Sequence, residues 1–121
     1  RSLERSSRDA MNEFIKQNSA EASRQTGAEA SYDLLCSYDP VVNDELLVQK
    51  LQEQCAILKL NYLPADPAMT GEDFGFFTSL YPGLLFWLGS GCDYPLHSDK
   101  FYPDPACIEP GVKLFYALAT I

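Results

Sequence analysis

Apolar positions change period three times along this chain, and each change predicts an element. Met11, Phe14, Ile15, Asn18 and Ala22 recur at helical spacing with one polar interruption, and Ser6 stands three residues before Asp9 as a capping box would. An amphipathic helix is expected there, with Gly27 as its stop. From Ala28 the pattern alternates: Ala28, Ala30, Tyr32, Leu34, Cys36 and Tyr38 are separated by mostly polar neighbours, which predicts a half-buried strand. Asp39-Pro40 breaks it. Asn43, Asp44 and Glu45 then make an N-terminus for a second helix with Leu47, Val48, Leu51 and Cys55 on its apolar face, and Ile57 to Leu60 could form a short strand.

Pro64, Asp66 and Pro67 enforce a connection into Met69-Thr70-Gly71-Glu72-Asp73. Thr70, three residues before Asp73, predicts the start of a short helix carrying Phe74, Phe77 and Leu80, closed by Tyr81-Pro82-Gly83. Leu84 to Leu88 is apolar without alternation, as in a strand covered by helices on both faces. A polar loop runs from Gly89 through His97, Lys100 and Tyr102 to a last helix with Pro110 in its first turn and Val112, Phe115, Leu118 and Ala119 buried. The fold class expected is α+β, divided near Asp39.

Composition narrows the function classes. At 121 residues and 46% hydrophobic, the chain can support one core but not two full domains. No run approaches the roughly 20 apolar residues of a membrane span. A formal charge of -8 argues against a nucleic-acid partner, because that affinity rests on clustered Lys and Arg, and Arg1, Arg5 and Arg8 are too few. Cys36, Cys55, Cys92 and Cys107 show no Cys-x-x-Cys spacing and read as reduced thiols of a cytoplasmic protein. The opening Arg1-Ser2-Leu3 has neither an initiator Met nor a signal-peptide pattern, so further polypeptide is expected upstream.

Candidate chemistry is sparse. The chain's one histidine, His97, lies in the loop after the predicted buried strand, where α/β proteins place their sites; alone it reads as an ordinary polar loop residue. Cys92 and His97 are two donors where a structural zinc site needs four. Glu72 and Asp73, about 100° apart on a helix, cannot converge on one atom and read as carboxylates favouring a helix start. Thr70 and Gly71 approach the same start, where exposed amides and a hydroxyl could take a substrate carboxylate.

Several segments, in order, resemble the dinuclear-metal peptidase and deacylase family that includes aminoacylase, hippurate hydrolase, auxin-conjugate hydrolases and N-acetyldiaminopimelate deacetylases. Arg1-Ser2-Leu3 resembles the end of that family's Gly-Thr-x-Arg-Thr-Phe strand, and Val41-Val42-Asn43-Asp44 its return to the catalytic domain. Met69-Thr70-Gly71-Glu72-Asp73-Phe74 matches Met-x-x-Glu-Asp-Phe, Pro82-Gly83 through Leu88-Gly89 matches Pro-Gly-x-x-x-x-Leu-Gly, and Leu96-His97 matches the Leu-His metal-ligand motif. Glu109-Pro110-Gly111 onward resembles the closing helix. Thr70-Gly71 and Phe86-Trp87-Leu88-Gly89 are most similar to the N-acetyldiaminopimelate deacetylases.

The resemblance implies half of a dimerisation-type lid over residues 1–38, and over 39–121 the C-terminal part of a three-layer α/β/α catalytic domain. It implies that His97 ligates one of two divalent metals (zinc, cobalt or manganese) and that Thr70 and Gly71 wall the substrate pocket. The implied parent is a cytoplasmic amidohydrolase that removes the acetyl group from N-acetyl-diaminopimelate, using a water activated by a Glu, in lysine and diaminopimelate biosynthesis. Its partners would be a small-molecule N-acyl amino acid and a second copy through the lid. The family's His-x-Asp segment, Glu-Glu pair and further histidines have no counterpart here, so the chain itself is expected to be inactive and to bind no metal. The alternatives are another N-acyl amino-acid hydrolase or peptidase of the family, or a non-catalytic stand-alone binding module.

Overall fold

The structure is a computed structural model and describes residues 2–120; Arg1 and its part in the resemblance lie outside them. In chain order the elements are α1 (Arg5–Thr26), α2 (Glu45–Ile57), α3 (Gly75–Thr78), a 3-10 turn at Pro105–Cys107 and α4 (Ile108–Ala119). Two compact units are built from interleaved segments: the chain up to Val42 with Asp66–Tyr81, and Asn43–Ala65 with the chain from Pro82 on.

No strand occurs among the described residues, which corrects the expected α+β class and its sheet layers. The reason is that alternation specifies which side chains share a face, whereas a strand also needs a neighbouring backbone to pair with. Residues 28–38 and 84–88 have none. Leu84 to Phe86 are half-buried, but Trp87 and Leu88 are exposed, so the expected cover on both faces is absent from 84–88.

In the first unit α1 begins at Arg5, earlier than the Ser6 capping box implied. Its N-cap is Glu4, with no side-chain cap. The local order comes instead from Ser2, whose Oγ accepts from the Glu4 N–H (3.1 Å), and from the Ser7 hydroxyl, which donates to Glu4 Oε2 (3.2 Å). Gly27 ends the helix as expected: at φ 74° it adopts the left-handed cap and donates to the Ser23 carbonyl (2.9 Å), a conformation easy only for a residue without a Cβ.

The following segment returns along α1 through polar contacts. The Tyr32 hydroxyl donates to Asn12 Oδ1 (3.0 Å), and Arg8 Nη1 donates to the Tyr38 carbonyl (2.6 Å) and Asp39 Oδ1 (3.0 Å). Met11, Phe14 and Ile15 of the expected apolar helix face and Leu34 of the alternating segment are all exposed. The Arg8 and Asp39 side chains keep only 19% and 10% of their surface, so this is the unit's most enclosed ion pair among the described residues. Burial works against the Arg8 charge, but hydrogen bonds to Asp39 and Asp9 outweigh it and raise its pKa.

The second unit holds the core. Asp44 caps α2 by accepting the Leu47 N–H (3.0 Å), and Leu51 and Cys55 then face Leu114 of α4. Leu58, Leu60, Tyr62, Leu84, Phe86 and Leu118 close around these three. Where a short strand could have followed, α2 ends in a Schellman turn: the Leu60 N–H reaches the Cys55 carbonyl (2.8 Å) and the Lys59 N–H the Ala56 carbonyl (3.2 Å). Lys59 therefore takes the left-handed position, at φ 56°.

The buried face of α4 also differs from expectation. Gly111 and Leu114 are buried and Leu118 is half-buried, while Val112, Phe115 and Ala119 point outward. This helix is apolar on two sides, so its pattern could not say which side meets α2.

Candidate active-site segments

His97 sits in a loop closed at its base. The Asp104 N–H donates to the Ser90 carbonyl (2.7 Å), the Tyr102 N–H donates to Cys92 Sγ (3.4 Å), and Asp104 Oδ1 caps the 3-10 turn through the Ala106 N–H (2.9 Å). Within it, Pro95-Leu96-His97-Ser98 is a tight turn in which the Ser98 N–H reaches the Pro95 carbonyl (3.0 Å). His97 holds its third position at φ 71°, the left-handed geometry of a type II turn, which usually calls for Gly or Asn. His97 is exposed, and its imidazole takes part in none of the hydrogen bonds that shape the loop. Lys100 Nζ stands 5.6 Å from the centre of the Tyr94 ring on the same loop.

Segments leading to the loop are fixed by a contact the sequence reading missed. The Asn43 carboxamide, one residue ahead of the α2 cap, grips the backbone of Leu85 from both sides: the Leu85 N–H donates to Oδ1 and Nδ2 donates to the Leu85 carbonyl, each at 2.8 Å. The Asp44 N–H adds a bond to the Gly83 carbonyl (2.9 Å). The available signal was an Asn directly before an Asp-Glu helix start, which leaves its side chain free to serve another segment.

Thr70 and Gly71 lie elsewhere, in the first unit. α3 starts at Gly75, so both residues are exposed ahead of a turn and do not stand on a helix start. The turn is set by Glu72, whose Oε1 accepts the Phe74 N–H (3.1 Å), in place of the capping by Thr70 that the sequence suggested. A Cβ on Gly71 would meet the Tyr38 ring at 3.8 Å, and Tyr38 packs against Phe76 with ring centres 6.1 Å apart.

The donor chemistry of this chain does not fit a metal pair. Among the described residues no group of three or more His, Cys, Asp or Glu could hold a metal ion. His97 offers one imidazole. The four cysteines are unpaired, and burial pushes the Cys55 thiol pKa up while Cys36 is exposed. No described helix is long and apolar enough to cross a membrane.

Comparison with known proteins bears on these segments. Residues 7–121 match the model of Peptidase family M20/M25/M40. Three similar curated proteins are all named N-acetyldiaminopimelate deacetylase. That of Pediococcus pentosaceus is 46% identical over 79 residues (62% of this chain, 20% of the relative). That of Brevibacillus brevis is 41% identical over 90 residues (71% and 23%). That of Oceanobacillus iheyensis is 37% identical over 101 residues (78% and 27%). The chain thus spans about a quarter of the length of the curated relatives it matches, and no solved structure matches it. With nearly its whole length matched, the chain belongs to Peptidase family M20/M25/M40.

Proposed function

We propose that this chain is the C-terminal part of a cytoplasmic amidohydrolase that removes the acetyl group from N-acetyl-diaminopimelate. The observation carrying the reading is the 46% identity over 79 residues to a relative named for that reaction. The Met69 to Phe74 and Leu96-His97 motifs support it.

In this reading His97 contributes one ligand to a divalent metal pair whose other ligands and general base come from additional polypeptide. A metal pair supplies polarisation of the scissile carbonyl and an activated water. The residues of this chain have a narrower task. The Pro95 to Ser98 turn holds the imidazole clear of internal partners, so that a ring nitrogen stays available as a donor. The Asn43 grip on Leu85 fixes the segment leading into that loop. Thr70 and Gly71, exposed ahead of the α3 turn, are taken in this reading as substrate-contacting residues. In this reading the additional polypeptide is needed for turnover, since the described residues hold no group of three or more metal donors.

The test is a chimera in which this chain replaces the matching segment of the Pediococcus pentosaceus deacetylase. Acetate release from N-acetyl-diaminopimelate, at a rate above that from other N-acyl amino acids and lost in His97→Ala, is the expected result. A folded chimera that prefers a different acyl amino acid, or one indifferent to His97→Ala, would overturn the substrate or the ligand assignment respectively.

A further inference from the structure

Three contacts join the two arms of the loop that carries His97, and they are in register. The Asp104 N–H donates to the Ser90 carbonyl (2.7 Å), the Tyr102 N–H donates to Cys92 Sγ (3.4 Å), and Lys100 Nζ stands 5.6 Å from the centre of the Tyr94 ring. The members of each pair are equally distant in sequence from residue 97. Successive pairs step two residues along each arm, the spacing at which the side chains of an extended segment return to one face. Gly91 lets the arms close: at φ 66° it bends the first arm, and a Cβ on it would stand 3.1 Å from Asp104 Cβ. At the apex the Ser98 N–H closes the left-handed turn of His97 onto the Pro95 carbonyl (3.0 Å). Ser98 in turn accepts the Phe101 N–H on its carbonyl (3.0 Å) and the Lys100 N–H on its hydroxyl (3.2 Å).

We propose that these three rungs form a clip that positions His97 at its apex, with Cys92 as the positioning residue. This rests on the assignment of His97 to the active site and adds the residue that aims it. A loop tied only at its base pivots about that tie, and a second tie two residues further in removes the pivot. The outer rung is backbone to backbone and is made whatever the side chains are. The inner rung sets a lysine over an exposed aromatic face, a weak attraction in water. The middle rung is the one that combines a particular side chain with partial shielding, since Cys92 is half-buried. Sulfur is a weak acceptor, but it stands farther from the backbone than a hydroxyl oxygen and accepts at longer range, so it bridges a gap that Ser would leave open. All of these contacts lie within the second unit.

Amide hydrogen exchange and nitrogen-15 relaxation on the full 121-residue chain test the clip, and the deacetylase chimera tests its use. Cys92→Ala should speed exchange of the Tyr102 amide several-fold and lower the backbone order parameter of His97, while the order parameters of α2 and α4 stay as they are. Cys92→Asn should restore both, because a carboxamide oxygen, set farther out than sulfur and bonding at shorter range, spans the same gap. In the chimera Cys92→Ala should lower kcat several-fold with KM little changed, and Cys92→Asn should recover it. Cys107→Ala, which removes an equally half-buried thiol in the 3-10 turn, should move none of these readouts. A Tyr102 amide as slow in Cys92→Ala as in the wild type, a loosening that spreads into α4, an unmoved kcat, or a Cys92→Asn chain no better than Cys92→Ala would each overturn the proposal. A chimera indifferent to His97→Ala fails the active-site assignment instead, and exchange and relaxation then still decide whether the clip exists.

Discussion

The Asn43 side chain and the Leu85 backbone exchange two hydrogen bonds of 2.8 Å, the pairing that one residue of a neighbouring strand would provide. One carboxamide thus substitutes for a strand partner at the centre of an apolar segment that has no sheet to join.

Removing that substitute should loosen the segment. Asn43→Ala loses both bonds at a partly solvated site and should cost about 1 kcal/mol. Asn43→Asp should cost at least as much, because its carboxylate can accept from the Leu85 N–H but meets the Leu85 carbonyl with charge. Urea unfolding of the two variants measures this. Equal stability of Asp and Asn would show that the donated half of the pair contributes nothing.

Two buried glycines should respond oppositely to Ala. A Cβ at Gly75 would run into the Asp39 carbonyl and sit 2.6 Å from its carbon, where only backbone can yield. Gly75→Ala should therefore destabilise the first unit by about 1–3 kcal/mol or more. At Gly111 the nearest atom is Leu88 Cδ2 (2.7 Å), the end of a flexible and exposed side chain. There the gain of about 1 kcal/mol in helix propensity offsets the rearrangement, and Gly111→Ala should be near neutral. Thermal melts of both variants separate the cases.

Lys59 occupies the left-handed position of the α2 Schellman turn at φ 56° without the freedom of glycine. Lys59→Gly should raise stability by about 1 kcal/mol, since the left-handed region costs a side-chain-bearing residue about that much. A denaturation midpoint that falls would mean that the Lys59 side chain supports the turn.

The four thiols should divide by burial. Cys36 is exposed and should alkylate first; Cys55, buried against Leu51 and Leu114, has a raised pKa and should react last. The sign of the pH effect follows. Between the ordinary thiol value, about 8.5, and the higher folded value, the unfolded chain loses this proton while the folded chain keeps it. Cys55 therefore withdraws stability as pH rises through that window and is neutral below it. Timed iodoacetamide labelling read by peptide mass spectrometry gives the order of reaction. Melts of the wild type and Cys55→Ala across alkaline pH isolate the second effect as a difference in slope.

Two helix ends were legible because their determinants are local: Asp44 caps α2 and Gly27 ends α1 through bonds spanning three or four residues, whereas the starts expected from Ser6 and Thr70 were not found. Strands were not legible in the same sense, since Tyr32, Leu34 and Leu84 to Leu88 carry strand patterns whose partners no local rule supplies. The buried side of α4 was misread for a related reason. With Val112 and Phe115 on one side and Leu114 and Leu118 on the other, only contact with α2 decides. Of the candidate site, the Leu-His pair stood out through a family pattern, while the left-handed turn under His97 and the Asn43 grip depend on bonds invisible until the chain is folded.

The left-handed backbone at residue 97 gives its histidine a conformational cost. Glycine or asparagine would relax the turn at once. A lineage of such chains released from any need for an imidazole should drift toward Gly or Asn at this site sooner than at the relaxed loop positions around it. Retention of His97 across descendants would then mark the chains that still answer to chemistry.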